Sequence, residues 1–169
     1  MKNKKHLSAF TLIELLLVVA IIAILSSLIL VAFKPLQRFE DSRNAKRWSD
    51  VNALLNAIKL YQIDHGGEYY PTIASMTPNT YYQIGDATTG CDTPCYNPPV
   101  ILQPTCVDLW GLVDDGYIAD IPYDPNAEGA SWATTGYYVY KYNSGQILVG
   151  ACYEEQGSNS TIQPIEVSR

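Results

Sequence analysis

The chain has 169 residues, of which 47% are hydrophobic and 17% charged, with 11 basic and 17 acidic side chains. This composition is too apolar for a disordered acidic tail, and the length suits one ordinary domain with an appendage. From Leu60 onward two basic residues stand against 13 acidic ones, so phosphates would be repelled and we expect this part to bind no nucleic acid.

Residues 1–9 form a short basic segment that precedes a long apolar run. The 19 residues from Leu15 to Phe33 contain no ionisable side chain. As a helix they would be about 28 Å long, which is close to the hydrocarbon thickness of a bilayer. A secretory signal has a shorter apolar core. We therefore predict a membrane-spanning helix over 10–33, with the N-terminus in the cytoplasm and the downstream domain outside it, anchored in the inner membrane.

Glu14 lies at the start of this apolar run. A carboxylate in a membrane helix is costly and usually marks a functional residue. The alternative is an interfacial glutamate that stabilises the helix N-terminus through the helix dipole. A plain one-pass anchor explains the length of the run and leaves Glu14 without a role.

The segment AFTLIE at 9–14, followed by LLLVVA, resembles the cleavage and methylation motif of type IV prepilins and type II secretion pseudopilins. The resemblance implies that a prepilin peptidase cuts between Ala9 and Phe10 and that the new N-terminal Phe10 is methylated. It also implies that Glu14 neutralises the terminal ammonium of an adjacent subunit during filament assembly. Ala9 stands where the family usually has glycine.

This family implies a structural role and a defined set of partners. They are prepilin peptidase, an inner-membrane platform protein driven by a cytoplasmic ATPase, and other pilin subunits that polymerise into an extracytoplasmic filament. The filament would be a type IV pilus, a type II secretion pseudopilus or part of a DNA-uptake system. Two alternatives stay open: a minor pilin that binds a ligand through a tyrosine-rich head, and a membrane-tethered binding module that never polymerises.

No pattern of catalytic residues is visible in the sequence. It contains no nucleophile elbow, phosphate-binding loop, histidine-rich metal site or positioned acid–base pair, and only two histidines. We therefore expect a protein that is not an enzyme.

Beyond the membrane run we expect the helix to continue, so that one long helix covers 10–64 with a bend at Pro35. Apolar residues recur at helical spacing in its second half: Trp48, Val51, Leu54, Leu55, Ile58 and Tyr61. This amphipathic stripe predicts packing against a head domain over 65–169, and the glycines at 66–67 predict the end of the helix.

The head domain shows weaker patterns. Residues 66–108 are rich in Gly, Pro, Asn and Thr, which predicts a long loop with short extended pieces. Residues 110–116 predict a helical turn, and the stretches 137–142 and 146–153 predict two strands joined by a hairpin turn. The expected fold is α+β and pilin-like, with a long N-terminal helix packed on a small antiparallel sheet.

The four cysteines are Cys91, Cys95, Cys106 and Cys152. A compartment outside the cytoplasm favours disulfides, and four cysteines allow three pairings among which the sequence does not choose. The pairing that we favour is Cys91–Cys95 with Cys106–Cys152. A metal site is the weaker interpretation, because no second cysteine pair completes a ligand set.

Asp124, Asn126 and Glu128, followed by Gly129, match the first half of a calcium-binding loop, in which oxygen ligands alternate along the chain. Thr135 stands where such a loop should have a bidentate glutamate. The family resemblance adds that major pseudopilins hold calcium in this sheet region, although their Asp-Gly-rich C-terminal loop is missing here. Calcium is thus the one candidate cofactor, and a solvated acidic turn is the alternative.

Overall fold

The computed structural model describes residues 10–93, 95–96 and 99–169, without the side chains of 30–33 and 96. The predicted leader at 1–9, including Ala9, lies outside these residues. The chain forms two compact units that divide between Leu36 and Gln37. Each unit is described by itself below.

The first unit contains helix α1, Leu12–Phe33. Its sequence is a nearly uninterrupted run of Leu, Ile, Val and Ala, so no polar stripe divides its surface. The large apolar side chains of Leu12–Ile29 are exposed around the helix. A helix that is apolar on every side requires an apolar environment.

The predicted single helix over 10–64 is present as two helices. Helix α1 ends at Phe33, Lys34 takes a left-handed conformation with φ of 41°, and helix α2 runs over Pro35–Asp64. Proline disfavours a helical conformation in the residue before it, whereas the first position of a helix tolerates proline because its N–H has no intrahelical partner. The sequence therefore produces a break at Lys34 in place of the expected bend.

From Gln37 onward, α2 belongs to the head. The predicted stripe is confirmed at Val51, Leu54 and Ile58, which are fully buried. The prediction was wrong for Trp48, which is 43% exposed, and Arg47 is buried on this face of the helix instead. The end of the helix is confirmed, because the glycines at 66–67 have positive φ angles and the Gly67 N–H donates to the carbonyl of Gln62 at 2.7 Å.

The main sheet of the head has four antiparallel strands in the order β1-β4-β5-β6. Their bounds are β1 Tyr81–Gln83, β4 Tyr137–Lys141, β5 Ile147–Ala151 and β6 Glu166–Ser168. A separate two-stranded sheet pairs β2 Cys95–Tyr96 with β3 Pro99–Val100. Two short helices complete the head, α3 Pro71–Ala74 and α4 Gly111–Asp114.

The predicted hairpin is confirmed by the pairing of β4 with β5, in which Tyr137 lies opposite Ala151 and Lys141 opposite Ile147. Gly145 closes the turn with a φ of 86°. The predicted helical turn at 110–116 is present as α4. Together with the helices, the sheet confirms the α+β fold.

The core of the head lies between α2, the sheet and the loop segments around them. It is made of aliphatic and aromatic side chains: Val51, Leu54, Leu55, Ala57, Ile58, Ile73, Met76, Ile84, Val107, Leu109, Leu112, Ile121, Tyr137, Val139, Ile147, Val149, Ala151 and Ile165. All of these residues belong to the second unit, so the head has an apolar core of its own.

The structure contains the disulfides Cys91–Cys106 and Cys95–Cys152, so the favoured pairing of Cys91 with Cys95 was wrong. The segment 102–107 runs alongside β1 through bridges at Leu102 and Val107. This places Cys106 beside the loop that holds Cys91, whose N–H donates to the carbonyl of Pro104 at 3.0 Å. Cys95 instead reaches the end of β5.

Candidate functional site

The beginning of α1 holds a reciprocal pair of hydrogen bonds between Thr11 and Glu14. The Thr11 hydroxyl oxygen accepts the backbone N–H of Glu14 at 3.3 Å, and the Glu14 carboxylate accepts the backbone N–H of Thr11 at 2.9 Å. The Thr11 hydroxyl also donates to this carboxylate at 2.8 Å. The pair forms a capping box, which satisfies N–H groups that have no partner within the helix.

Thr11 was not identified as a site residue from the sequence, although the spacing Thr-x-x-Glu before an apolar run is a known signature of a capping box. Within one chain, Glu14 therefore stabilises the start of the helix. Its carboxylate remains exposed to solvent, as does the side chain of Phe10, which is 80% exposed. Both residues are accessible to a second molecule.

In the described part of the chain, one helix is long and apolar enough to cross a membrane, over Leu12–Ile29. None of this segment is buried within the chain. Such a surface is stable in lipid or against the apolar helices of other chains, and it is costly in water.

A second polar site lies in the head around Arg47, whose side chain is completely buried. Its Nε donates to Asp124 Oδ2 at 2.7 Å and its Nη2 to Asp124 Oδ1 at 2.9 Å, a bidentate ion pair. Its Nη1 donates to Glu155 Oε2 at 2.8 Å and to Asn44 Oδ1 at 2.9 Å. One guanidinium thus joins α2 to two loops that lie far away in sequence.

Side chains of α2 bind both the carboxylate and the backbone of Glu155. Arg43 donates to its two carboxylate oxygens at 2.7 and 2.5 Å. Asn44 pairs with its backbone, donating to the Glu155 carbonyl at 2.6 Å and accepting the Glu155 N–H at 3.1 Å. Two consecutive turns of α2 therefore fix this part of the C-terminal loop.

The protonation states of the network follow from these contacts. Burial opposes ionisation of Arg47, but the hydrogen bonds to Asp124 and Glu155 raise its pKa above the ordinary value. Burial likewise opposes ionisation of Glu155, and the hydrogen bonds from Arg43 and Arg47 nevertheless lower its pKa. The two shifts favour the charged forms of Arg47 and Glu155.

Arg47 was not identified as a site residue from the sequence. It lies four residues before Val51 on the stripe of apolar positions in α2, and this spacing was the available signal. A charged residue at a core position requires a buried partner of opposite charge, and Asp124 is that partner.

The residues of the candidate calcium loop do not fit a metal ion. Both carboxylate oxygens of Asp124 bind Arg47, and Oδ1 also accepts the backbone N–H groups of residues 126 and 127, each at 2.9 Å. Asn126 and Glu128 are exposed, and the Thr135 hydroxyl donates to the Ile84 carbonyl at 2.6 Å. Among the described residues no group of three His, Cys, Asp or Glu side chains is arranged to hold a metal.

Glu154 is a buried carboxyl group beside this network. Its Oε1 accepts the backbone N–H of Ile165 at 3.0 Å, whereas Oε2 is buried without a hydrogen-bond partner among the described residues. Burial raises the pKa of Glu154 to about 7. The side chain is therefore partly protonated at neutral pH.

A groove of about 390 Å³ on the head surface is lined by two exposed aromatic side chains, Trp132 and Tyr123, together with the carboxylate residue Asp86. Trp132 packs edge to face against Trp110, with ring centroids 5.9 Å apart. Exposed aromatic rings with a nearby polar group are common at binding surfaces.

A family model described as the prokaryotic N-terminal methylation motif matches residues 4–30. The chain is also 30% identical, over 123 residues, to type II secretion system core protein G of Aeromonas hydrophila. This match covers 73% of the present chain and 70% of the relative. No solved structure matches the chain. The matched model covers the segment that contains Phe10, Thr11 and Glu14.

Proposed function

Because the chain belongs to the family of type IV pilins and type II secretion pseudopilins, we propose that it is a membrane-anchored structural subunit that is processed and then polymerised into a filament. The family consists of structural proteins, so the chain is not an enzyme. The observation that carries the proposal is α1, a helix that is apolar on all sides and not buried within its own chain, and most of which lies inside the matched methylation motif at 4–30.

The first step is removal of the leader. A prepilin peptidase would cut between Ala9 and Phe10 and methylate the new N-terminus of Phe10, leaving residues 10–169. The matched methylation motif, which begins at residue 4, supports this assignment. The basic leader favours a cytoplasmic position for the cut and export of the head.

The second step is transfer of α1 from lipid to a filament core. The exposed side chains of Leu12–Ile29 would exchange lipid contacts for contacts with the same segment of other subunits. An inner-membrane platform protein and its cytoplasmic ATPase are the partners that this step requires. The type II secretion relative favours a secretion pseudopilus over a surface pilus.

We assign to Glu14 the role of setting the register between adjacent subunits in the filament. Its carboxylate binds Thr11 within the chain and is exposed, so it can also accept the terminal ammonium of an adjacent subunit. A charge buried without a partner costs several kcal/mol, about 3 to 5 when one member of a pair is removed. Only a subunit in register would satisfy both charges.

The test compares Glu14→Gln with Thr11→Ala in cells that express the assembly system. Glutamine keeps hydrogen-bonding capacity and removes the charge, whereas Thr11→Ala weakens the capping box and leaves the charge. We expect Glu14→Gln to remain in the membrane without filaments, and Thr11→Ala to form filaments. Filaments are measured by immunoblot and electron microscopy of material sheared from opened cell envelopes, because a secretion pseudopilus need not reach the cell surface.

Normal filaments from Glu14→Gln would contradict the assigned role. Loss of filaments in both variants to the same extent would mean that Glu14 acts through the capping box alone.

A minor subunit that binds a ligand is the second candidate, favoured by the exposed aromatic groove at Trp132 and Tyr123. The amount of protein in sheared filaments separates the candidates. An abundant signal indicates a major subunit, a trace signal a minor one, and no signal a membrane tether that never polymerises.

A further inference from the structure

The loop after β5 has no regular secondary structure between Cys152 and β6, yet it is fixed against α2. Besides the contacts of Glu155, the N–H of Gly157 donates to Glu40 Oε2 at 3.0 Å and the N–H of Ser158 to Asp41 Oδ1 at 2.8 Å. A side chain at Gly157 would overlap the Asp41 carboxylate. The backbone of the loop therefore lies directly on the helix.

The loop before β4 is fixed from the same helix. The Asp124 carboxylate closes a turn by accepting the N–H groups of residues 126 and 127, each at 2.9 Å. The Asp124 N–H donates to the Thr135 carbonyl at 2.8 Å, which ties the two ends of the loop together. Arg47 then donates to both oxygens of that carboxylate.

Two carboxylates from separate loops thus converge on one cation, as they would around a bound metal ion. We propose that the guanidinium of Arg47 is the built-in cation of the head: it neutralises Asp124 and Glu155 and joins their loops to α2, so that the head folds without calcium. This inference goes beyond the proposed function and is independent of whether the chain polymerises.

The geometry suits an arginine for this role. The planar guanidinium presents donors in a fixed fork that matches a carboxylate in a bidentate manner. Four of its donor contacts are within 2.9 Å, to Asp124, Glu155 and Asn44. Because the side chain is completely buried, its charge is poorly screened by solvent and attracts both carboxylates strongly.

The charges of the network also balance. Arg43 and Arg47 carry two positive charges, and Asp124 and Glu155 carry two negative ones. A calcium ion beside Arg47 would meet a positive charge and two carboxylates whose oxygens already accept hydrogen bonds from arginines. A cation becomes necessary only when Arg47 is removed.

The first arm of the test measures the full chain, purified in detergent, with calcium or with EGTA. Calcium is used at about 10 mM, which exceeds the dissociation constants of extracellular calcium modules, about 0.1 to 1 mM. We expect the same melting temperature in both and no heat of binding when calcium chloride is titrated in. A higher melting temperature with calcium, or a saturable binding heat, would overturn the proposal.

The second arm removes the guanidinium. Arg47→Met leaves the buried Asp124 carboxylate next to an uncharged side chain, and we expect the melting temperature to fall by on the order of 10 °C. Calcium should restore part of that loss in Arg47→Met, because the buried Asp124 carboxylate then has no cation beside it, whereas Glu155 keeps its ion pair with Arg43. An unchanged melting temperature in this variant would contradict the proposal.

Two further variants serve as controls. Arg38→Met changes an exposed arginine of the same helix, and we expect wild-type stability. If Arg47→Met does not fold, the double variant Arg47→Met with Asp124→Asn removes one charge of each sign and should fold with EGTA present. A double variant that folds only with calcium would overturn the proposal.

Discussion

In α1 the side chains of Leu12–Ile29 all lie on the outside of their own unit, whereas in the second half of α2 the side chains of Val51, Leu54 and Ile58 are fully buried. Both segments are helical and rich in Leu, Ile and Val. The difference is that α2 has a sheet of the same chain to pack against, and α1 has nothing within its unit. The head therefore supplies its own packing partners, and α1 requires lipid or other subunits.

The carboxylates of the two regions differ in the same way. Glu14 binds Thr11, three positions away, and stays exposed. Asp124 binds Arg47, 77 positions away, in a buried pair. Charges in the head stabilise contacts between distant segments of one chain, while the charge in α1 is available to a second molecule. A structural subunit needs both arrangements, a head that folds alone and a segment that assembles.

The largest expected effect comes from separating the two regions. A chain that begins at Gln37 and is expressed in an oxidising compartment should be soluble without detergent and monomeric. It should unfold at the temperature of the head in the full chain, because the core and both disulfides lie beyond the removed part. Size-exclusion chromatography and calorimetry measure both properties.

A truncated chain that aggregates or has no cooperative unfolding transition would contradict the expectation that the head folds alone. It would mean that α1 contributes to the stability of the head.

A matched pair of leucine substitutions tests this difference between α1 and α2 at single residues. Leu54→Ala leaves a cavity in the core of the head and should lower the free energy of unfolding by about 2 to 5 kcal/mol. Leu17→Ala removes the same atoms from an exposed position of α1 and should leave the unfolding of the head unchanged. Denaturant unfolding followed by tryptophan fluorescence measures the difference.

The smallest effect concerns pH. Burial raises the pKa of Glu154 from 4.5 to about 7, so between these pH values the native state keeps a proton that the unfolded state has lost. The stability that this proton provides is present below pH 4.5 and is lost as the pH rises to about 7. Glu154→Gln should reduce the decrease in melting temperature over this interval, and Glu128→Gln, at an exposed position, should not.

A full pH dependence retained in Glu154→Gln would show that another group causes it. Burial would then not be what controls the protonation of Glu154 in the head.

The elements that were predicted correctly have their signals in neighbouring residues. The apolar run specifies α1, the glycines at 66–67 end α2, and the turn at 143–145 joins β4 to β5. Each of these depends on backbone preferences and periodicity over a few positions. The capping box of Thr11 has the same local character and was available from the sequence.

The parts that were not predicted depend on contacts between distant residues. The pairing of Cys95 with Cys152 spans 57 positions and depends on tertiary packing, which no local pattern specifies. The partner of Arg47 is likewise set by tertiary packing. The spacing of Asp124, Asn126 and Glu128 indicated a turn, but a solvated turn was wrong for Asp124, which is buried against an arginine of α2.

The proposed processing is tested most directly by the intact mass of the chain after coexpression with an active prepilin peptidase, next to an Ala9→Leu control. We predict that the protein loses residues 1–9 and gains one methyl group at Phe10, and that the control remains uncut. An uncut, unmethylated wild-type chain in the membrane would contradict the account and would make the protein a one-pass anchor for its acidic head.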